Sequence, residues 1–445
     1  MNETIVAIAT PPGEGALAVI RISGGAALTV ADTVFSGANT PSLLEARKVT
    51  FGRVVSETGE VLDEVLLTVF RSPRSYTGED LVEISGHGGT IVAARVLAAV
   101  LAAGARMARP GEFTERAFLN GKLDLTQAEA VMDLISAQTP RAARAAASQL
   151  EGRLGVEINA LRSMILEAVA HLEAFIDFPE EGIDPESGVI LRKRMEGISA
   201  HLQRLLATAD EGRLLREGIR LALCGAPNAG KSSLLNRLLG ADRAIVSEIP
   251  GTTRDTIEER ASLGGYPFRI IDTAGLRIST DPVEQEGVVR AREAARQADL
   301  CINLVDAATL TGERQVKPFF ENELIVLNKI DLVSDRSDLP LELMISCRTG
   351  EGMDALITAL LAKVAGRSER EVAADGAAIN ARHQECLKRA SKAMGAAICL
   401  LGLGEPAELV AVELRMALTA VGEIVGESGT EEILGKIFSS FCIGK

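Results

Sequence analysis

The octet Gly225-Ala226-Pro227-Asn228-Ala229-Gly230-Lys231-Ser232, between the apolar run "LALC" and the helix-like "SLLNRLL", constrains this chain more than any other stretch. It matches G-x-x-x-x-G-K-[ST], whose glycines let backbone N–H groups curl around phosphate oxygens at a helix N-terminus. Such a loop needs a buried strand before it and a helix after it, which implies a parallel α/β unit. Lys231 is expected to reach the outer phosphates, and Ser232 to ligate Mg2+.

The segments that follow fit the same site. "IPGTTRD" offers Thr252 and Thr253 as a switch reaching the γ-phosphate and Mg2+. "RIIDTAG" places Asp272 at a strand end and Gly275 where a backbone N–H senses that phosphate. "IVLNKID" and "MISCRTG" bring Asn328, Lys329, Asp331 and Ser346 to further strand ends. Asp331 decides the base, because its carboxylate accepts from guanine's ring N–H and exocyclic amino group. Adenine offers no such pair, so GTP is the expected ligand. Leu276 stands where Ras-like GTPases carry the glutamine that orients the attacking water, so another group must do that work. Arg254 and Arg277 are nearby candidates for an arginine finger.

The whole chain has 445 residues, enough for about two or three domains. Its apolar share of 47% and charged share of 24% are those of a soluble globular protein. A formal charge of -14 argues against a surface that binds polyanions everywhere, though a local basic patch remains compatible. "MNETIVAIATPPGEG" lacks the pattern of a signal peptide, and no stretch reads as a membrane span. Six scattered cysteines and four histidines suggest neither a disulfide framework nor a zinc site, so a cytoplasmic location is expected.

"TIVAIAT", "LAVIRIS", "RKVTFGRVV", "EVLLTVF" and "DLVEIS" predict strands within residues 1–120, with a helix near 88–103, hence an α+β domain. "GHGG" at 86–89 reads as a tight turn. Residues 121–216 read as helical, with Leu161, Ile165, Val169, Leu172 and Ile176 at helical spacing. Alternation of strands and helices over 217–368 marks the α/β unit, and 369–445 return to helix. The expected fold is therefore multidomain, with an α/β P-loop (Ras-like) unit inserted into a discontinuous all-α domain. Two separate helical domains are the alternative.

Together with the P-loop, "IPGTTRD" and "DTAGLR", the segments "ARPGEFTERAFLNGKLDLTQAEA" and "FSSFCIGK" resemble the MnmE (TrmE) family of tRNA-modification GTPases over the whole chain. Era-like ribosome-assembly GTPases share the central unit without these flanks. The resemblance implies a GTP contact set of Asn228, Ala229, Gly230, Lys231, Ser232, Ser233, Ser247, Glu248, Ile249, Pro250, Gly251, Thr252, Thr253, Asp272, Thr273, Ala274, Gly275, Asn328, Lys329, Asp331, Ser346, Cys347 and Arg348. It implies K+ held by Asn228, Ser247, Ile249 and Thr252, in place of an arginine finger, and Mg2+ held by Ser232 and Thr253. Glu284 takes the position of the catalytic glutamate, and G domains pair across a homodimer. The N-terminal domain would bind a reduced one-carbon folate, 5-formyl- or methylene-tetrahydrofolate, through Arg21, Glu83, Lys122 and the terminal Lys445. With a flavin-dependent MnmG-type (GidA) partner, the family adds an aminomethyl or carboxymethylaminomethyl group to the wobble uridine of tRNA. The basic clusters at Arg141, Arg144 and 191–194 fit RNA contact or a solvated helix face equally well.

Cys442 is open to three readings: a prenylation acceptor, a working thiol, or a packed side chain. Lys445 at the end disfavours prenylation. A helix is expected before it, with Ser428 or Thr430 as N-cap and Glu431 and Glu432 in the first turn. Ile433, Leu434, Ile437, Phe438 and Phe441 would form its apolar face, with Cys442 at its C-terminus. The resemblance associates this cysteine with the modification chemistry. The rival to a K+-stimulated modification GTPase is a GTP-switched ribosome-assembly or RNA-binding module without such chemistry.

Overall fold

The computed structural model describes residues 3–177, 188–241, 258–272, 296–309, 318, 322–333, 343–365, 379–427, 431–439 and 441–445. Contacts divide the chain into two compact units, residues 1–132 with 422–445, and residues 133–421.

The first unit runs through β1 (Ile5–Ile8), β2 (Leu17–Ser23), α1 (Ala27–Val34), β3 (Phe35–Gly37), β4 (Val49–Val55), β5 (Val61–Phe70), β6 (Leu81–His87), α2 (Thr90–Ala102), β7 (Arg106–Met107) and α3 (Glu112–Leu119), and enters α4 (Leu125–Ser136). Its strands form one sheet in the order β3-β4-β5-β6-β2-β1-β7. All five strands read from β-branched runs are present. Alternation explains them: in β2, Ala18, Ile20 and Ile22 face the core while Leu17, Val19 and Arg21 do not. Val6, Ile20, Val65, Leu67, Val82 and Ile84 meet α1 and α2 on one face. Ile5, Ala7, Ala108 and Phe113 pack on the other, with Tyr76 beside them. "GHGG" is the turn from β6 into α2. A Cβ on Gly88 would lie 1.9 Å from the Gly15 carbonyl oxygen, so only glycine fits.

In the second unit come α5 (Pro140–Leu150), α6 (Arg153–Asp177), α7 (Gly188–Ala207) and α8 (Ala209–Glu217). Then follow β8 (Ile219–Gly225), α9 (Lys231–Ala241), β9 (Glu258–Leu263), β10 (Tyr266–Asp272), β11 (Leu300–Asp306), β12 (Glu323–Asn328) and α10 (Met353–Ala365). α11 (Ala381–Leu403) and α12 (Ala407–Val425) complete this run, and α13 (Glu431–Ser439) belongs to the first unit. Local chemistry sets several helix starts. Thr139 caps α5, accepting from Ala142 N–H at 3.1 Å, with Pro140 in the first turn. Asn380 and the buried His383 form a capping box at α11. On α6, Leu161, Ile165, Val169 and Leu172 are buried as their spacing predicts.

α7 packs against α11, joining the helical runs before and after the sheet into one discontinuous helical body. The sheet order is β12-β11-β8-β10-β9. β8, β10, β11 and β12 are parallel, and β9 is an antiparallel edge strand, a departure from the all-parallel expectation. The "MISCRTG" segment makes only a single bridge, Met344 to Leu327, rather than a full strand. Leu221, Leu223, Leu300, Ile302, Leu304 and Val326 form the core beneath α9 and α10. Residues 422–445 cluster with residues 1–132. Among the described residues, no helix is long and apolar enough to cross a membrane.

Candidate functional site: a guanine-nucleotide loop and a charged N-terminal pocket

β8 delivers the chain into the phosphate loop at Gly225, and α9 begins at Lys231. Gly225 (φ 137) and Gly230 (φ 102) are required by close approach. A Cβ on Gly225 would sit 2.3 Å from the Leu304 carbonyl oxygen, and one on Gly230 2.2 Å from Asn328 Nδ2. Asn228, at the exposed tip, is left-handed at φ 62, a conformation asparagine tolerates well. Lys231 Nζ donates to the carbonyls of Gly225 at 2.9 Å and Ala226 at 3.0 Å, which holds the ammonium within the loop. Ser232 and Ser233 are exposed in the first turn of α9.

The base side is built around Asn328, which is 2% exposed. Its Nδ2 donates to the Ala229 carbonyl at 2.8 Å, and its Oδ1 accepts from Cys347 N–H at 3.0 Å. One side chain thus ties the phosphate loop to the turn after Ser346. Lys329, left-handed at φ 66, pairs with Asp306 at 2.5 Å. Ser346 Oγ donates to Asp331 Oδ1 at 2.7 Å and accepts from Thr349 N–H at 3.1 Å, so it orients the carboxylate and shapes the turn together. Arg348 is 3.9 Å from Asp331 and largely exposed, a weak pairing. Burial pushes the Cys347 thiol up to about 11, which keeps it neutral. Sequence reasoning missed Arg237 on α9. Its Nε donates to the Cys347 carbonyl at 2.9 Å and its Nη2 to the Arg348 carbonyl at 2.8 Å.

Ser247, Glu248, Ile249, Pro250, Gly251, Thr252, Thr253, Thr273, Ala274, Gly275 and Glu284 lie outside the described residues, as do Arg254, Leu276 and Arg277. Asp272 closes β10 as expected.

In the first unit, Arg21 and Glu83 face each other across β2 and β6. Arg21 donates through Nε at 3.0 Å and Nη2 at 2.7 Å, both to Glu83 Oε1. The guanidinium also lies over the rings of Tyr76 at 5.4 Å and Phe113 at 5.8 Å. Two residues expected only as separate ligand contacts are therefore an ion pair beside two aromatic rings. Burial raises the Tyr76 phenol, against its hydrogen bond with Thr114 and the charge of Arg21. Lys122 Nζ donates to the Pro73 carbonyl at 3.1 Å. The terminal turn docks on the same unit, with Gly111 N–H donating to the Cys442 carbonyl at 3.4 Å. α13 ends at Ser439, so Cys442 lies past the helix in an exposed turn rather than in its last turn. Ser428 and Thr430 lie outside the described residues, which leaves the expected cap there without description.

Comparison with known proteins agrees with this arrangement. The family model described as "GTP-binding protein TrmE N-terminus" matches residues 4–122, and that described as "MnmE helical domain" matches residues 125–442. The chain belongs to the MnmE family of tRNA modification GTPases. A tRNA modification GTPase MnmE of Chloroflexus aurantiacus is 46% identical over 100% of both chains. That of Akkermansia muciniphila is 46% identical over 100% of this chain and 99% of its own. The Symbiobacterium thermophilum protein is 47% identical over 100% of both. The likeness to these relatives thus extends over both flanks as well as the central sheet.

Proposed function

We propose that this GTP hydrolase of tRNA modification is stimulated by K+, uses a reduced one-carbon folate, and acts with a flavin-dependent MnmG-type partner on the wobble uridine. The product is an aminomethyl or carboxymethylaminomethyl uridine. The observation that carries the reading is the linked Asn328–Asp331–Ser346 constellation beside a phosphate loop, in a chain whose MnmE likeness extends over both flanks.

The donors available suit the cations. Asn228 offers an amide oxygen at the loop tip and Ser232 a hydroxyl at the helix start, both hard ligands of the kind K+ and Mg2+ take. Bound K+ would supply positive charge to the developing transition state, with Ser247, Ile249 and Thr252 as its remaining holders. Ser232 and Thr253 would hold Mg2+. Glu284 would hold the attacking water in the role Leu276 cannot fill.

For the folate, the Arg21–Glu83 pair between Tyr76 and Phe113 supports a flat, polar-edged ring. Glu83 would receive the amino-pyrimidine edge, with Arg21 fixing its orientation, while Lys122 and Lys445 meet the glutamate tail. Cys442, exposed in the docked terminal turn, is assigned to the modification step. A homodimer pairs the G domains, and the setting is the cytoplasm.

One reconstitution tests the reading. The full chain, a flavoprotein partner, one-carbon folate, GTP and unmodified tRNA should yield modified wobble uridine in K+ and little in Na+, by nucleoside chromatography. Equal hydrolysis rates in the two salts would sink the cation assignment, and an unmodified product with every component present would sink the rest.

A further inference from the structure

The turn from Ser346 to Glu351 is held through both its backbone N–H groups and its carbonyls. Cys347 N–H donates to Asn328 and Thr349 N–H to Ser346 Oγ, and internal bonds run from Ser346 N–H to Glu351 at 2.9 Å and Gly350 N–H to Ser346 at 2.8 Å. The carbonyls of Cys347 and Arg348 are both taken by the single guanidinium of Arg237. Gly350, at φ 90, leaves room for that guanidinium, since a Cβ there would lie 3.3 Å from Arg237 Nη1.

Arg237 belongs to α9, the helix that begins at the phosphate-loop lysine. From the geometry we infer that Arg237 is a positioning residue for guanine recognition, fastening the base-reading turn to the phosphate-binding helix. Asn328 supplies one tie between the two halves of the site, through Ala229 and Cys347. Arg237 supplies a second, through different backbone atoms of the same turn. A planar fork suits two adjacent carbonyls, whereas a lysine ammonium is a point charge that satisfies about one of them. Because the guanidinium is partly solvated, the expected effect is moderate.

The inference rests on the reading of Asp331 and the Ser346–Arg348 turn as the base site. The experiment therefore measures, in the full chain, dissociation constants for fluorescent GDP and the inhibition constant of inorganic pyrophosphate in GTP hydrolysis. Arg237→Ala should weaken GDP by about five- to tenfold, the scale of one to two partly solvated charge-assisted hydrogen bonds, while the pyrophosphate constant stays put. Arg237→Lys should recover part of the loss. GDP affinity within about twofold of wild type would overturn the proposal. So would an equal loss for GDP and pyrophosphate, which would make Arg237 a general support of the domain. An Asp331→Asn control separates the two levels. If it keeps guanine preference, the base-site reading has failed; if it loses preference while Arg237→Ala changes nothing, only the Arg237 assignment has.

Discussion

Asp331 commits one carboxylate oxygen to the Ser346 hydroxyl at 2.7 Å, and that contact fixes the plane in which, on the proposed reading, it would meet a base. Asp331→Asn replaces an acceptor with an amide that also donates. Guanine then loses its paired acceptors, and a xanthine base, which carries a carbonyl at the same edge, gains a donor. Competition between GDP and XDP should shift toward XDP by about a hundredfold or more, and an unshifted ratio would refute the assignment. Asp331 and Lys231 were legible as candidates because the chemistry expected of them fixes both residue type and spacing. Arg237 was not, because its partners are backbone carbonyls 110 and 111 residues further along, and a carbonyl is carried by every residue. The Arg21–Glu83 contact was hidden for a related reason. Each residue was readable as a charge, but only the register of β2 against β6 puts them opposite one another.

At the scale of elements, the last helix shows where a period overshoots. Leu434, Ile437, Phe438 and Phe441 pack on Leu125, Ala128 and Phe118, as an apolar stripe predicts. Phe441 keeps that stripe going although the helix has stopped at Ser439, because a turn can return an apolar side chain to the same surface. Periodicity alone therefore placed Cys442 on the helix. Close backbone approach, rather than side-chain pattern, fixes the docking. A Cβ on Gly111 would lie 2.6 Å from the Phe438 carbonyl oxygen, and one on Gly444 2.5 Å from that of Ile8. Phe438, 2% exposed, is the anchor. Phe438→Ala should weaken docking by about 3–5 kcal/mol, the usual range for emptying a buried phenylalanine site. Amides of α13 and the terminal turn should then exchange with deuterium much faster than those of β2. Unchanged exchange there would mean the helix is held by something else.

For the molecule as a whole, the alternation of strands and helices announced an inserted α/β sheet. The family resemblance, which sets the terminal Lys445 with Arg21, Glu83 and Lys122, pointed to the return of the last residues to the first unit, with which they cluster. Periodicity and composition alone carry no sign of such a return, which is a property of packing; here only the terminal motif pointed to it. The same unit holds a charge network centred on the buried Glu112 and Arg116 and opening to the exposed Glu3. Arg106 reaches Glu112 through Nη1 at 2.9 Å and Nη2 at 2.6 Å and also pairs with Glu3, while Arg116 joins Glu112 at 3.4 Å to Glu79 at 2.9 Å. Burial alone would push the Glu112 carboxyl up. The Arg106 hydrogen bonds, the Arg109 N–H and the charges of both arginines outweigh it and hold it down at about 2, against 4.5 when unfolded. A depressed carboxyl stabilises the fold fully above its unfolded value and loses that contribution as pH falls toward the folded one. Arg106 itself is raised from an already high value and stays protonated across this window. The contribution at neutral pH is on the order of 1–2 kcal/mol once solvent around the part-exposed Arg106 screens the pair. Glu112→Gln should therefore melt well below wild type at neutral pH. The gap between their thermal midpoints should close between pH 4.5 and about 2, where the native carboxyl is being protonated. A gap that stays constant across that range would show that Glu112 stabilises the unit by shape and not by charge.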